Sequence, residues 1–411
     1  MVADAVGAPP SPPDRPCLLV LASTYPRWAN DPEPGFVHQL CRRLAQRFTV
    51  VAVVPDAPGA DSSGLFEGVQ VIRYRYAPRR LQTLVNNGGI TANLKLHRWK
   101  WLLLPGFVLG QWIAARRIVR HQRVDVIHAH WLVPQGLVAR WLHRPYLVTS
   151  HGGDLFGLRG ALLAALKRYV ARYAAAMTVV SHAMQDEARR LRIQAPALSV
   201  VPMGVDLKGH FTPATLPRST DELLFVGRLV AKKGLRFLLQ AMPLIVAQRP
   251  SVRLTIVGFG PEEPALRRQA DALGLAREVR FEGAVPQDRL PGLYRRAALF
   301  VAPFVSDSSG DQEGLPVALM EAIGCGCPVV VGKVQGLVDL LGEGADAICV
   351  DPTDASALAN AVLDSLADPG QAQIRVAAIR TNAVEWVDWE TVAKRYGDLL
   401  MRCLTAPTED K

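Results

Sequence analysis

The sequence predicts an α/β protein of two domains, each built on a doubly wound parallel sheet. Three observations lead there. Short β-branched or aliphatic runs alternate with helical patterns along most of the chain, the mark of parallel sheets covered by helices. The length of 411 residues exceeds the usual domain of roughly 150 by two- to threefold. The alternation lapses once, in VDLKGHFTPATLPRSTD over 205–221, where two prolines interrupt any apolar periodicity.

Residues 1–16 read as a disordered, proline-rich leader, since MVADAVGAPPSPPDRP has neither the basic start nor the apolar stretch of an export signal. The first domain spans 17–205, with strands expected at Cys17–Ala22, Thr49–Val54, Val69–Tyr74, Val124–His128, Tyr146–Thr149, Met177–Val180 and Leu198–Val201. Its first helix is plain from Phe36, Leu40, Leu44 and Phe48, which recur every four residues and form one apolar stripe. A linker over 206–221 leads to the second domain, 222–385. Strands are expected there at Leu223–Val226, Arg253–Val257, Val279–Phe281, Leu299–Ala302, Pro328–Val331 and Ala347–Val350. From Gln371 the pattern is helical only, and 386–411 is expected to be a helix that packs back on the first domain.

With 49% apolar and 20% charged residues, the composition excludes general disorder, a collagen-like repeat and a coiled coil. Six cysteines, at 17, 41, 325, 327, 349 and 403, are too few and too uneven for a disulfide framework. Cys325 and Cys327 lack the companion ligands of a zinc site and read as small buried residues. A cytoplasmic location follows as the simpler expectation. The 47 basic against 37 acidic residues leave a formal charge of +10 and imply an anionic partner. Nucleic acid is not expected to be that partner, because no zinc-finger, RRM or helix-turn-helix pattern accompanies the charge.

Ligands of open α/β sheets bind outside the carboxyl ends of the strands, so the loops there carry the chemistry. Val226-Gly-Arg228-Leu-Val-Ala-Lys-Lys233-Gly234 runs from a strand through a basic loop into a helix, which suits a diphosphate because free amides at a helix start already favour anions. Glu313-Gly314-Leu315-Pro316-Val317 through Glu321 places two carboxylates eight residues apart. On one helix that is about 2.2 turns, so both should share a face, the first at the amino end. The preceding loop, SDSSGDQEG, is long and polar and should turn that first carboxylate into the cleft. His151 follows a strand in TSHGGD, its neighbouring glycines allowing a ligand close approach. Gly35 opens the first helix.

Taken with TYP, IHAHW, VVPMGVD, IVGFGP and PVVVG, these strings resemble, in order and spacing over about 350 residues, the retaining nucleotide-sugar glycosyltransferases of family 4. The resemblance implies the GT-B fold, two Rossmann-like doubly wound domains facing across a cleft. It implies that Arg228 and Lys233 neutralise a UDP- or GDP-sugar's diphosphate, that Glu313 binds hydroxyls of the transferred sugar, and that Glu321 holds the ribose. His151 would contact the sugar near its anomeric carbon, and Gly35 would let the first loop approach the diphosphate. Gly258 with Gly260, Gly283 and Val285 would lie near the nucleotide, and Gly314, Leu315, Pro316 and Val317 would belong to the donor site. No metal or other cofactor is expected, since no Asp-X-Asp pair exists and fixed cations can stabilise the leaving diphosphate. Substituting Glu313 or Lys233 should abolish transfer and leave the fold intact. The EGLP form, with proline where many relatives have glycine, resembles a bacterial subgroup that builds cell-surface polysaccharides, with a glycan or lipid-linked acceptor.

Between Lys95 and Arg123, three tryptophans, seven Lys or Arg and two histidines surround an apolar run. That mixture suits peripheral contact with the anionic inner face of a membrane, the alternative being a packed helix with a basic outer side. The run Trp101–Ile113 is broken by Pro105 and Gln111 and is shorter than the roughly 20 residues of a spanning helix, so no transmembrane segment is expected. Two rival functions remain: a catalytically silent sugar-nucleotide-binding protein, and a nucleotide-dependent oxidoreductase. Gly258-Phe-Gly260-Pro lacks the third glycine that the oxidoreductase fingerprint requires.

Overall fold

A computed structural model describes residues 15–405 apart from 30, 32, 34, 62, 86–88, 158–159, 216 and 307–312. Residues 1–14 of the leader expected over 1–16 and the greater part of the polar loop before Glu313 lie outside the described residues.

The first sheet has eight strands: β1 Cys17–Leu21, β2 Thr49–Pro55, β3 Gly64–Phe66, β4 Val69–Tyr74, β5 Val126–His130, β6 Tyr146–Ser150, β7 Ala176–Val179 and β8 Leu198–Val200, in the order β3-β4-β2-β1-β5-β6-β7-β8. All pairs are parallel except β3 with β4. Sequence reading missed β3, a three-residue edge strand whose hairpin turns on Glu67 and Gly68, both at positive φ. Three residues, mostly exposed, carry no readable alternation. The expected strand Val124–His128 lies two residues early: β5 runs Val126–His130. Polar histidines hid the end of β5, which continues through His128 and His130 because both are fully buried.

The second sheet has six parallel strands, β9 Glu222–Val226, β10 Arg253–Val257, β11 Val279–Gly283, β12 Leu299–Ala302, β13 Val329–Gly332 and β14 Cys349–Val350, in the order β11-β10-β9-β12-β13-β14. Strands this apolar sit between helical layers, which is why they read as continuous runs rather than alternation.

The chain crosses between domains twice, at adjacent points. Val205 N–H donates to Val387 O at 2.9 Å, and Trp389 N–H donates back to Val205 O at 3.2 Å. Helix Pro369–Val387 packs on the second core through Val376, Ile379 and Ala383, and helix Trp389–Thr405 packs on the first through Val392, Tyr396 and Leu400. The segment expected to link the domains is not a loose tether. Its Leu207 and Phe211 are buried in the second core, and Arg295 donates to the carbonyls of His210 and Thr212. The two sheets face each other across a cleft, the GT-B arrangement.

Helix Leu104–His121 follows a 3-10 turn at Arg98–Leu103, and together they make 24 helical residues, an 18-residue window of which has a mean hydropathy of 1.3, long and apolar enough by composition alone to cross a membrane. The stretch expected to be too short is longer in the structure, because the helix runs eight residues past Ile113, to His121. Its inner face, Phe107, Gln111, Ala115 and Ile118, is nevertheless buried against the first domain. Outward it shows Leu102, Leu109 and Ile113, each more than half exposed, and then Arg117.

Candidate active site

The cleft encloses about 850 Å³ and receives loops from both sheets. From the second sheet, β9 ends at Val226 and the chain passes Arg228 into a 3-10 turn, Ala231–Lys233. Gly234 then takes φ 68° and starts helix Leu235–Gln248. Only glycine serves there, since a Cβ would lie 1.8 Å from Pro303 O besides being strained at that φ. The turn aims two consecutive lysines the same way. Lys233 Nζ lies 3.2 Å from Glu313 Oε2 and Lys232 Nζ lies 3.5 Å from Oε1.

Lys233 is 8% exposed and its ammonium stands 4.9 Å from the centre of the Phe304 ring. Burial lowers its affinity for a proton, and the Glu313 carboxylate opposes that loss. For Glu313, burial alone would favour the neutral acid. Lys233, Lys232 and Arg228 overcome it and hold the carboxyl at about 2. Three cations therefore act on one carboxylate, the two lysines in contact with it, which leaves this cluster positive and able to receive a dianion. Lys232 was not singled out from the sequence, because adjacent residues usually diverge and only the tight turn makes them converge.

Glu313 does not stand on a helix. Pro316 occupies the N-cap with ψ 120°, and helix Val317–Gly324 begins after it. The residue before a proline is pushed away from the helical region, so the helix cannot extend back to 313 and the shared-face expectation is corrected. The two carboxylates go to different environments. Glu321, 3% exposed, accepts from Tyr294 Oη at 2.9 Å and from Gln287 Nε2 at 3.1 Å. Burial raises its pKa to about 7 in spite of these bonds.

Gly314 touches the opposite wall. A Cβ there would meet Met184 Sδ at 2.9 Å and Val180 Cγ2 at 3.1 Å, both from the first domain, and Leu315 packs against both cores. That wall carries His151 at the end of β6, half-buried between Phe36 and Trp131 at ring distances of 5.1 and 4.9 Å. Burial takes its pKa down to about 3, so the imidazole is neutral. His130 stands behind it, Nδ1 to Nε2 at 2.9 Å. Asp154 Oδ1 accepts from His151 N at 3.3 Å and from Ser150 Oγ at 2.8 Å, while Oδ2 accepts from Leu132 N at 2.7 Å. Asp154 thus shapes the loop that presents His151.

The expected site residues His151, Glu313, Gly35, Arg228, Lys233, Gly258, Val285, Gly314, Leu315, Val317 and Glu321 all line the cleft. Gly283 and Pro316 are not in its lining and stand next to residues that are, Ala284 and Val285 for the first and Leu315 and Val317 for the second. Gly283 ends β11 and accepts from Gly258 N at 2.8 Å; Pro316 stops the helix. Gly258 is required by the protein itself, because a Cβ would lie 1.9 Å from Gly227 O. Gly35 is different: its φ of −92° is ordinary and a Cβ would meet only Pro26 Cγ at 3.6 Å. Among the described residues, no group of three or more His, Cys, Asp or Glu is placed to hold a metal ion.

The family model "Glycosyltransferase Family 4" matches residues 36–208 and "Glycosyl transferases group 1" matches 220–368, one on each domain. The chain is 30% identical over 398 residues to glycogen synthase of Mycobacterium tuberculosis, covering 92% of each. It is 31% identical over 269 residues to a GDP-mannose-dependent alpha-(1-6)-phosphatidylinositol monomannoside mannosyltransferase of Mycolicibacterium smegmatis, covering 62% of this chain and 70% of that one. Among solved structures, sucrose-phosphate synthase from Thermosynechococcus elongatus superposes with a TM-score of 0.75 at 23% identity, covering 96% of this chain and all of the other. HepE of Anabaena, solved with UDP and glucose, gives 0.70 at 18% identity, covering 93% and 99%.

Proposed function

Since the chain belongs to glycosyltransferase family 4, we propose that it transfers a hexose, with retention of configuration, from a UDP- or GDP-sugar to a glycan or lipid-linked acceptor in cell-surface polysaccharide synthesis. The observation that carries this reading is the convergence of Lys232 and Lys233 on Glu313, with Arg228 adding its charge to the same cleft and the neutral His151 on the facing wall. In the proposed reaction the bond from the anomeric carbon to the diphosphate oxygen breaks and a bond to the acceptor oxygen forms on the same face. The acceptor's proton passes to a phosphate oxygen of the departing nucleoside diphosphate. Charge grows on that diphosphate in the transition state, where prearranged cations in a water-poor cleft stabilise it more than they do the ground state. Glu313 would accept from sugar hydroxyls once the diphosphate draws the lysines toward itself, and Glu321 would receive the ribose. Gly35, with room for a side chain it does not carry, would let the first loop reach the diphosphate.

The relatives fit both donor bases, the mycobacterial mannosyltransferase being named for GDP-mannose and the Anabaena structure holding UDP. A cytoplasmic enzyme that meets the inner membrane face through Trp99, Trp101, Leu102, Leu109 and Ile113 suits a lipid-linked acceptor.

A thermal-shift and hydrolysis screen against UDP- and GDP-sugars tests the proposal, because a ligand of the native state raises its melting temperature. One nucleotide sugar should stabilise the protein and be slowly hydrolysed, with activity unchanged by EDTA. No response to any nucleotide sugar would overturn the donor assignment. Loss on chelation restored by manganese or magnesium would overturn the metal-independent mechanism.

A further inference from the structure

Behind His151 the imidazoles form a column into the first core. The rings of His151 and His130 stack within 13° of parallel at 5.2 Å, and His128 follows at 4.1 Å from His130. Both inner histidines are fully buried. Burial makes each of the three rings a weaker base, so all are neutral, and each carries one proton on one of two nitrogens.

A single hydrogen bond, His130 Nδ1 to His151 Nε2 at 2.9 Å, couples the outer pair. One ring must donate and the other accept, and that choice fixes both tautomers. If His151 donated from Nε2, His130 would carry its own proton on Nε2, which is buried and has no partner among the described residues. A buried N–H without an acceptor is the rarer orphan in folded proteins; a bare acceptor is better tolerated. If His130 donates from Nδ1, its Nε2 is such a bare acceptor. His128 follows the same rule, with Nε2 bonded to Thr149 Oγ1 at 2.8 Å, Thr149 bonded on to Thr178 Oγ1 at 2.7 Å, and Nδ1 left bare.

We propose that His130 is a positioning residue whose Nδ1–H donates to His151 Nε2, so that His151 is held as the Nδ1–H tautomer and offers the cleft a neutral hydrogen-bond donor. With its Nε2 lone pair occupied by His130, His151 has none to accept a proton from an acceptor hydroxyl. It can donate to an oxygen of the transferred sugar or of the leaving diphosphate. The part of His130 in the reaction rests on the transferase reading, whereas the tautomer is a property of the protein alone and is measured without substrate.

The test is nitrogen NMR of the full-length protein labelled with ¹⁵N-histidine at neutral pH, with His151→Gln identifying the resonances. The expected spectrum has His151 protonated on Nδ1 and bare on Nε2. The opposite tautomer, or an imidazolium, overturns the proposal whether or not the protein transfers sugar. A paired measurement uses donor-sugar turnover. His130→Leu, of similar bulk and without a donor, should lower kcat tenfold or more with the donor KM little changed, tenfold being about 1.4 kcal/mol of barrier. His130→Asn, whose amide N–H takes the place of Nδ1–H, should recover most of that loss. An Asn variant as impaired as the Leu variant would count against donation, and should the Leu variant fail to fold, the wild-type tautomer still decides.

Discussion

Lys233 and Glu313 are each nearly buried and each neutralises the other at 3.2 Å. Removing one partner of such a pair leaves an uncompensated charge out of water, which costs on the order of 3–5 kcal/mol. The expectation that either substitution leaves the fold untouched therefore changes. Glu313→Gln should abolish transfer and also lower the melting temperature by several degrees, since Lys232 and Lys233 would then face each other without a counter-charge. Lys233→Ala should cost less stability, because Lys232 stays within 3.5 Å of Glu313. Normal turnover by the Gln variant would sink the site assignment, and an unchanged melting temperature would sink the ion-cluster account. The two carboxylates also work in opposite directions with pH. Glu313, held at about 2 in the fold, contributes stability that is present above the ordinary carboxylate range and lost as pH falls toward 2. Glu321, raised to about 7, retains its proton where the unfolded chain has lost it. Its contribution is greatest below the ordinary glutamate range, declines as pH rises to about 7, and is flat above. Glu321→Gln should accordingly gain melting temperature relative to wild type at pH 8 and show no gain at pH 4. Equal differences at both pH values would contradict the burial argument.

Among the elements, the helix Leu104–His121 shows where local sequence stops being sufficient. Its apolar residues are legible, yet the sequence assigns no direction to either side. In the structure Phe107, Gln111, Ala115 and Ile118 face inward while Leu109 and Ile113, both 53% exposed, face outward ahead of Arg117. An outward apolar stripe that ends in basic residues is suited to anionic lipid. Flotation with liposomes tests this: binding should require anionic lipid and fall with salt, and Leu109→Asp with Ile113→Asp should reduce it without changing the melting temperature. Equal recovery on neutral and anionic vesicles, or full binding by the double variant, would contradict it. Most strands were readable because burial between helical layers demands unbroken apolar runs. The exceptions have local causes: β3 is too short and exposed to show a period, and β5 ends in His128 and His130, polar residues buried inside the strand. The helix at Val317 begins late because Pro316 forbids an earlier start.

At the scale of the whole molecule, the two domains are tied on one side of the cleft as well as at the paired crossing. Asp339, from the second domain, accepts from His182 N at 2.7 Å and bonds His182 Nδ1 at 3.0 Å, at the start of a helix in the first. Gly314 lies close beside it in the chain's closure, against Val180 and Met184. Asp339→Ala removes this tie and should enlarge the radius of gyration of the donor-free protein in small-angle scattering, with the donor restoring the compact form. Identical scattering from the variant and the wild type would show that the tie does not hold the domains together. The sequence alone specified two doubly wound sheets and the loops that carry Arg228, Lys233, Glu313 and His151. These are consequences of burial periodicity and of backbone chemistry within a few residues. It could not specify that Lys232 joins Lys233 on one carboxylate 80 residues further along, that Glu313 and Glu321 part into acid-strengthening and acid-weakening surroundings, or that His130 backs His151. Those pairings depend on distances between loops of different strands and on how far the cleft is closed. Such distances are set by the stacking of whole sheets, and no local pattern encodes them.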